Sequence, residues 1–216
     1  MKYKAVIFDL DGTLLNTIAD IGGAVNSVLE RHNLPVYTME EYRFFVGKGI
    51  HNLVIQVLPT AERTDEKIKL FYQEVMSEYA SNLNVRTRLF PGIAELLDQL
   101  VVRGVSLAIL SNKADELMAD VIKNYFVSWK FSSVFGARKN VPIKPDPSAV
   151  YEILAQLKLT NDEVLYVGDS DVDMQTATNA KLFPVGVAWG FRSKEELLAN
   201  GAKKIIEKPS ELLELL

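Results

Sequence analysis

The sequence predicts an α/β fold in which a parallel β-sheet is covered by helices and a helical lobe is inserted after the first strand. Two observations predict the sheet: apolar runs typical of buried strands alternate with helical patterns after Pro91, and the first run, Ala5-Val6-Ile7-Phe8, stops abruptly at a polar loop. A third predicts the lobe, because residues 15–85 carry only helical patterns. The expected division is a core of residues 1–14 and 87–216 and a lobe of residues 15–86.

The lobe contains four helical patterns. Thr17 and Asp20 are placed as a capping box at the start of the first helix, and Thr38 and Glu41 mark the start of a second. Two more apolar stripes, the last of them ending near Tyr79, predict two further helices. We therefore expect four helices in the inserted lobe.

In the second half of the chain, predicted strands and helices alternate. The predicted strands cover residues 105–110, 133–135, 164–167 and 184–187. Helices are predicted up to about Arg103, from Ala114, after Pro147, from Asp173 and, as short segments, near Glu195 and Glu211. Because all strands of a parallel sheet end at the same edge, we expect a binding crevice outside their carboxyl ends.

Composition limits the classes of function. The chain has 216 residues, which predicts one compact domain or one core with a modest insertion. A net charge of −4 gives no electrostatic reason to expect nucleic acid or an anionic membrane as a partner. With no cysteine, the chain has no disulfide, thiol nucleophile or cysteine-ligated metal. We expect a cytoplasmic protein, and the sequence does not predict its oligomeric state.

Polar residues cluster where the predicted strands end. They form four segments: Asp9 to Thr13, Ser111-Asn112-Lys113, Lys144-Pro145-Asp146-Pro147 and Gly168 to Asp173. Each segment taken alone has an ordinary structural explanation, such as a turn or the start of a helix. Their joint occurrence at strand ends favours one shared crevice.

The chemistry that suits such a crevice is phosphoryl transfer. Clustered carboxylates raise one another's pKa, so a hard cation with oxygen ligands is expected, and Mg²⁺ fits best because it also binds phosphate oxygen. Lys144 is placed to offset the remaining charge and to keep one carboxylate ionised as a nucleophile. The Ser111 hydroxyl and nearby backbone N–H groups are candidate donors to phosphoryl oxygens.

These segments resemble the four motifs of the haloacid dehalogenase superfamily of phosphohydrolases. The matching residues are Phe8-Asp9-Leu10-Asp11-Gly12-Thr13-Leu14, Leu110-Ser111-Asn112-Lys113, Lys144-Pro145-Asp146-Pro147 and Val167-Gly168-Asp169-Ser170 through Asp173. The resemblance covers the whole chain and implies a Rossmann-like parallel sheet core (HAD-like) with an inserted α-helical cap domain. The sequence is most similar to the phosphoglycolate phosphatase-like branch. Its segment Val46-Gly47-Lys48-Gly49 resembles the Gly-containing specificity loop of that branch.

The resemblance implies roles for the catalytic residues. Asp9 is expected to be the nucleophile that forms an aspartyl-phosphate, and Asp11 the general acid that protonates the leaving alkoxide and then acts as base for water. Ser111 and Asn112 are expected to orient the phosphoryl group. Lys144 is expected to balance the charge of Asp9.

The resemblance also implies a metal site. Asp9, the backbone oxygen of Asp11 and Asp169 are expected to bind Mg²⁺, and Asp173 is expected to complete the site by positioning these ligands. No role is assigned to Asp171.

The expected substrate is a small phosphorylated metabolite. Thr13 and Asn112 are the expected substrate-binding residues of the core, and Lys48 is their counterpart in the cap. If the cap closes over the crevice, Lys48 could bind a second negative group such as the carboxylate of 2-phosphoglycolate. The segment Trp189-Gly190-Phe191-Arg192 follows the last long predicted strand; it could shape the rim of the crevice, but packing as a loop is the expected role.

The sequence thus predicts a Mg²⁺-dependent phosphatase with an aspartyl-phosphate intermediate. A sugar-phosphate mutase or a pyrophosphatase of the same superfamily remains an alternative, because these enzymes would keep the same core residues. A dehalogenase needs no acid at position 11, so Asp11 argues against that activity. A signalling receiver would lack the inserted cap, and the complete set of motif residues argues against a non-catalytic phosphate-binding scaffold.

Overall fold

The computed structural model describes residues 2–216 as two compact units. One unit, the core, is the chain up to Asn16 together with Leu89–Leu216, and the other, the cap, is Thr17–Arg88. Within residues 2–216, no helix is both long enough and apolar enough to cross a membrane.

The core is built on a six-stranded parallel sheet. Its strands are β1 (Ala5–Phe8), β4 (Ser106–Ala114), β5 (Phe131–Ala137), β6 (Val164–Gly168), β7 (Phe183–Val187) and β8 (Lys204–Ile206). They lie in the order β5-β4-β1-β6-β7-β8, and each neighbouring pair is parallel. A separate sheet pairs β2 (Leu15–Asn16) with β3 (Arg88–Leu89).

Helices follow most of the core strands and fill the cap. The cap helices are α1 (Ile18–Arg31), α2 (Met39–Phe45), α3 (Gly49–Val57) and α4 (Asp65–Ser81). The core helices are α5 (Ile93–Val102), α6 (Met118–Tyr125), α7 (Ser148–Leu157), α8 (Asp171–Asn179) and α9 (Lys194–Ala199). Short 3₁₀ segments cover Thr60–Glu62, Asp115–Leu117, Asn161–Glu163 and Pro209–Glu214. The predicted fold class, a parallel α/β core with an inserted helical segment, is confirmed.

The centre of the sheet is fully buried, which explains the continuous apolar runs in the sequence. Every residue of β1 and β6 is buried, and the two strands pair from Ala5 opposite Val164 to Phe8 opposite Val167. The backbone N–H of Asp9 then donates to the carbonyl of Val167 at 2.9 Å. This register brings the residues that follow β1 and β6 to the same edge of the sheet.

The strand β4 differs most from its prediction. It does not end at Leu110 but continues to Ala114. The helix predicted from Ala114 begins one residue later, as the 3₁₀ turn Asp115–Leu117 that leads directly into α6 at Met118. The pairing with β5 is irregular in this stretch, since Leu110 lies opposite Phe135 whereas Ala114 lies opposite Ala137. Two extra residues of β4 are therefore accommodated in a bulge, and a bulged polar stretch has no strand periodicity to reveal it.

Two smaller features also differ from prediction. The edge strand β8 was not predicted, and the segment near Glu211 is a 3₁₀ helix. The predicted capping box at Thr38 and Glu41 is confirmed.

The predicted capping box at Thr17 and Asp20 is wrong. Thr17 has helical backbone angles and makes no side-chain cap, so it does not present its hydroxyl to the first turn. The carboxylate of Asp20 instead accepts the N–H of Arg86 at 2.8 Å and the N–H and hydroxyl of Thr87 at 2.9 and 2.7 Å. Asp20 thus joins the start of α1 to the end of the cap segment.

Candidate active site

The polar residues predicted from strand ends do meet at the carboxyl edge of the core sheet. Asp9 follows β1, Asp169 follows β6, and Asp173 lies in the first turn of α8. Ser111, Asn112 and Lys113 occupy the bulged part of β4, and Lys144 precedes α7. Most of these side chains are buried, with Asp9, Asp169, Asp173 and Lys144 each at most 6% exposed.

Lys144 joins two of the acids. Its Nζ donates to Asp9 Oδ1 at 2.6 Å and to Asp173 Oδ1 at 2.7 Å. Its backbone is held in turn by the side-chain amide of Asn112, which accepts the Lys144 N–H at 2.9 Å and donates to the Lys144 carbonyl at 3.1 Å. Asn112 therefore fixes the base of the lysine side chain, a contact that the sequence did not predict.

Asp169 is held by two other segments. Its Oδ1 accepts from the Thr13 hydroxyl at 3.1 Å, and its Oδ2 accepts from the backbone N–H of Phe191 at 2.7 Å. Two glycines next to Asp169 leave no room for a β-carbon. A β-carbon at Gly190 would lie 2.1 Å from Asp169 Cβ, and a β-carbon at Gly12 would lie 2.3 Å from Asp169 Oδ2. Glycine at both positions allows the backbone to approach the carboxylate this closely.

Asp173 is saturated with hydrogen bonds. Ser170 donates to Oδ2 through its hydroxyl at 2.6 Å and its N–H at 3.1 Å, which forms the capping box of α8. The Tyr166 hydroxyl lies 3.2 Å from Oδ1, the oxygen that also accepts from Lys144. These contacts suit a carboxylate that positions Lys144 and the start of α8 beside the other two acids.

Burial and mutual repulsion raise the pKa of the carboxyl groups. Burial, followed by the Asp173 carboxylate, holds the pKa of Asp9 well above its ordinary value even though Lys144 opposes the shift. The same two causes raise the pKa of Asp169 to about 7, against the opposing N–H of Phe191 and charge of Arg192. Burial disfavours the Lys144 ammonium, but Asp173 and Asp9 outweigh it and hold its pKa well above the ordinary value.

The donor set fits a hard divalent cation. Ligand oxygens of Asp9, Asp169 and Asp173 all lie within 4.8 Å of one another, close to the separation of about 4.2 Å between opposite ligands of Mg²⁺. With all three acids ionised, they carry two more negative charges than Lys144 offsets. This uncompensated charge, together with burial, contributes to the raised pKa values of Asp9 and Asp169.

Asp11 lies apart from this cluster and has a lysine of its own. Its Oδ1 is 3.2 Å from the Nζ of Lys113, whose side chain is only 2% exposed. The backbone N–H of Lys113 donates to the Ser111 hydroxyl oxygen at 3.1 Å. Lys144 therefore pairs with Asp9 and Asp173 and Lys113 pairs with Asp11, whereas Asp169 is held by Thr13 and Phe191.

The last predicted residue, Lys48, lies in the cap. It is an exposed residue at the N-terminal end of α3, between Gly47 and Gly49, which both have positive φ angles. Asp171, for which no role was predicted, is the first residue of α8.

The loop after β7 belongs to the site, contrary to the expectation that it packs as an ordinary loop. Phe191 donates to Asp169, and the indole Nε1 of Trp189 donates to the Thr13 carbonyl at 3.0 Å. The positive charge of Arg192 acts on Asp169 as well. The signal available in the sequence was position, because this loop follows the carboxyl end of a core strand.

Comparisons with known proteins agree with this geometry. A family model described as haloacid dehalogenase-like hydrolase matches residues 6–187. The phosphoglycolate phosphatase of Mannheimia succiniciproducens is 30% identical, with 99% of this chain and 98% of that protein covered. The phosphoglycolate phosphatase of Haemophilus influenzae is 28% identical, with 100% and 99% covered.

Solved structures give the same result. A protein from Lactobacillus delbrueckii subsp. bulgaricus is 32% identical and superposes with a TM-score of 0.93, with 100% of this chain and 98% of that chain covered. A structure described as a predicted phosphoglycolate phosphatase from Haemophilus somnus is 27% identical, with a TM-score of 0.90 and coverage of 100% and 98%. The similarity extends over the whole length of these proteins.

The raised pKa of Asp169 predicts pH-dependent binding of Mg²⁺. Below a pKa of about 7 the proton on Asp169 competes with the cation, so binding at pH 8 should be about tenfold tighter than at pH 6. In metal-free protein the folded state holds a proton that the unfolded state loses near pH 4, so stability should fall as pH rises from there to about 7. The difference in unfolding temperature between Mg²⁺ and EDTA samples should therefore widen from pH 6 to pH 8.

Two variants check the origin of this effect. Asp169→Asn should remove most of the Mg²⁺-dependent rise in unfolding temperature, whereas Asp120→Asn, which changes an exposed acid of α6, should leave it unchanged. An Mg²⁺ effect of equal size at both pH values in the wild-type protein would contradict the assignment.

Proposed function

Since the chain belongs to the haloacid dehalogenase-like hydrolase family and is a phosphoric monoester hydrolase, we propose that it hydrolyses small phosphorylated metabolites with Mg²⁺ through an aspartyl-phosphate on Asp9. The observation that supports this most directly is the pairing of Asp9 with Lys144 at the centre of the buried acids. A nucleophilic carboxylate must be ionised, and the ammonium 2.6 Å away favours that state.

In the first step, a carboxylate oxygen of Asp9 forms a bond to phosphorus as the ester P–O bond breaks. The departing oxygen receives a proton from the carboxyl group of Asp11, and an acyl phosphate remains on Asp9. In the second step, a water oxygen attacks the same phosphorus while Asp11 takes its proton. The P–O bond to Asp9 breaks, which releases phosphate and restores the carboxylate.

The neighbouring residues prepare the site for these steps. Asp9 and Asp169, with the backbone oxygen of Asp11, would hold the cation, which when bound supplies positive charge beside the phosphoryl oxygens. The Ser111 hydroxyl oxygen accepts the Lys113 N–H, and its own proton is available to a further acceptor, for which a phosphoryl oxygen is suited. Thr13 orients Asp169 through its hydroxyl and supports substrate binding from the loop after β1.

The proposed substrate class is supported by the names of the relatives and by one residue of the cap. The curated relatives are named phosphoglycolate phosphatases, and 2-phosphoglycolate carries a carboxylate as well as its phosphate. Lys48 is our candidate for the group that binds this second charge. A cytoplasmic location and the absence of nucleic-acid and membrane partners remain predictions of the sequence.

Asp9→Asn tests the nucleophile. Turnover of 2-phosphoglycolate with Mg²⁺ should fall by at least about a thousandfold, because the amide cannot form the acyl phosphate, whereas Asp120→Asn should retain wild-type turnover. Circular dichroism should report the same fold for both variants. Release of inorganic phosphate as the product distinguishes this reaction from that of a mutase, which would return an isomeric phosphate ester.

The same assay tests the metal. Wild-type turnover should disappear in EDTA and return with Mg²⁺. Undiminished turnover in metal-free buffer, or full activity of Asp9→Asn, would refute the proposed mechanism.

Lys48→Ala tests the substrate class. Removing the ammonium should raise KM for 2-phosphoglycolate by about 10- to 150-fold, the range for a hydrogen bond to a charged group, and should change KM for an uncharged aryl phosphate much less. Lys69→Ala, which removes an exposed lysine from α4 of the same cap, is the matched control and should change neither value. Equal effects of Lys48→Ala on both substrates would show that Lys48 is only a solvated charge.

A further inference from the structure

Lys113 is a buried charged residue of the site to which the sequence assigned no role. Its side chain is 2% exposed and its Nζ lies 3.2 Å from Asp11 Oδ1, whereas Lys144 contacts Asp9 and Asp173. Burying an ammonium is costly unless it is paired, so a lysine at this position needs a carboxylate partner. Asp11 supplies that partner from a chain segment more than a hundred residues earlier.

The backbone of Lys113 is fixed by the bulge in β4. A β-carbon at Gly136 in the neighbouring strand would lie 2.7 Å from the Lys113 carbonyl oxygen and 2.6 Å from Asp115 Cα, so glycine is needed for the strands to pass this closely. The N–H of Gly136 also donates to the Asp115 carboxylate at 2.8 Å. The bulge therefore fixes the backbone position from which the Lys113 side chain extends.

The backbone of Asp11 is fixed as well. The tight loop that contains it is closed by hydrogen bonds from the N–H of Gly12 to the Leu15 carbonyl and from the N–H groups of Leu14 and Leu15 to the Leu10 carbonyl. With the main chain held, the remaining freedom of Asp11 is rotation of its side chain. The contact between Lys113 and Oδ1 restricts that rotation.

We propose that Lys113 is a positioning residue for Asp11. By holding Oδ1, it directs the second carboxyl oxygen of Asp11 toward the oxygen that leaves phosphorus, so that proton transfer needs no search for the correct rotamer. This role rests on the proposed function, in which Asp11 exchanges a proton with the leaving group. It also separates the two lysines: Lys144 serves the nucleophile, and Lys113 serves the acid and base.

The test compares two esters that depend differently on Asp11. An alkyl phosphate such as 2-phosphoglycolate needs its leaving oxygen protonated, whereas p-nitrophenyl phosphate releases a stable phenolate. The ratio kcat/KM reports the step in which the leaving group departs. In Lys113→Met, kcat/KM should fall about 10- to 100-fold for 2-phosphoglycolate and by less than about threefold for p-nitrophenyl phosphate.

A double-mutant cycle with Asp11→Asn identifies the route of the effect. If Lys113 acts through Asp11, adding Lys113→Met to Asp11→Asn should cause no further selective loss for the alkyl ester. Lys113→Arg, which keeps the charge, should recover part of the alkyl-ester activity. If Lys113→Met does not fold, Lys113→Gln provides the same comparison, because it also removes the charge but keeps a polar end group.

The outcomes separate this role from the proposed function. If the wild-type protein is active, two results would overturn the role of Lys113 alone. One is an equal loss of kcat/KM for the two esters in Lys113→Met, and the other is additive losses in the double-mutant cycle with Asp11→Asn. A wild-type protein that hydrolyses neither ester would overturn the proposed function and this role with it.

Discussion

The two bonds from Lys144 to Asp9 and Asp173 are the interaction on which the rest of the site depends. They place one ammonium between two buried carboxylates, at 2.6 and 2.7 Å, and so allow acids from two chain segments to share one edge of the sheet. The sheet brings the partners together, because β1 and β6 are paired and the next strand, β4, holds the backbone of Lys144 through Asn112. Removing one partner from a buried ion pair destabilises a folded protein by about 3–5 kcal/mol. The loss of any one of these three side chains is therefore expected to destabilise the other two.

The same burial explains why the site suits phosphoryl transfer. One ammonium does not neutralise three buried acids, so burial, together with the excess negative charge, raises the pKa of Asp9 and brings that of Asp169 to about 7. Such a cluster is costly when empty and favourable when a divalent cation supplies the missing charge. The glycines beside Asp169 and the loop after β7 keep that carboxylate in place, so the donor set needs little rearrangement to bind a cation.

The sequence predicted the parts that local patterns determine. Apolar runs such as Ala5–Phe8 mark buried parallel strands, and the acids that follow them had to lie at one edge of the sheet. The bulge of β4 was missed because its polar residues show no strand periodicity, and the capping box at Asp20 was wrong because backbone groups of the distant Arg86 and Thr87 bind that carboxylate. The pairing of each lysine with its acids depends on long-range contacts, which no local pattern reports.

We propose that the buried acids hold a divalent cation beside a nucleophilic Asp9. A crystal structure of the protein with Mg²⁺ and beryllium fluoride, a mimic of a phosphoryl group on aspartate, tests it most directly. We expect beryllium bonded to a carboxylate oxygen of Asp9 and Mg²⁺ contacted by Asp9 and Asp169. Beryllium fluoride on Asp11, or Mg²⁺ bound elsewhere while the cluster of Asp9, Asp169 and Asp173 holds no cation, would contradict it.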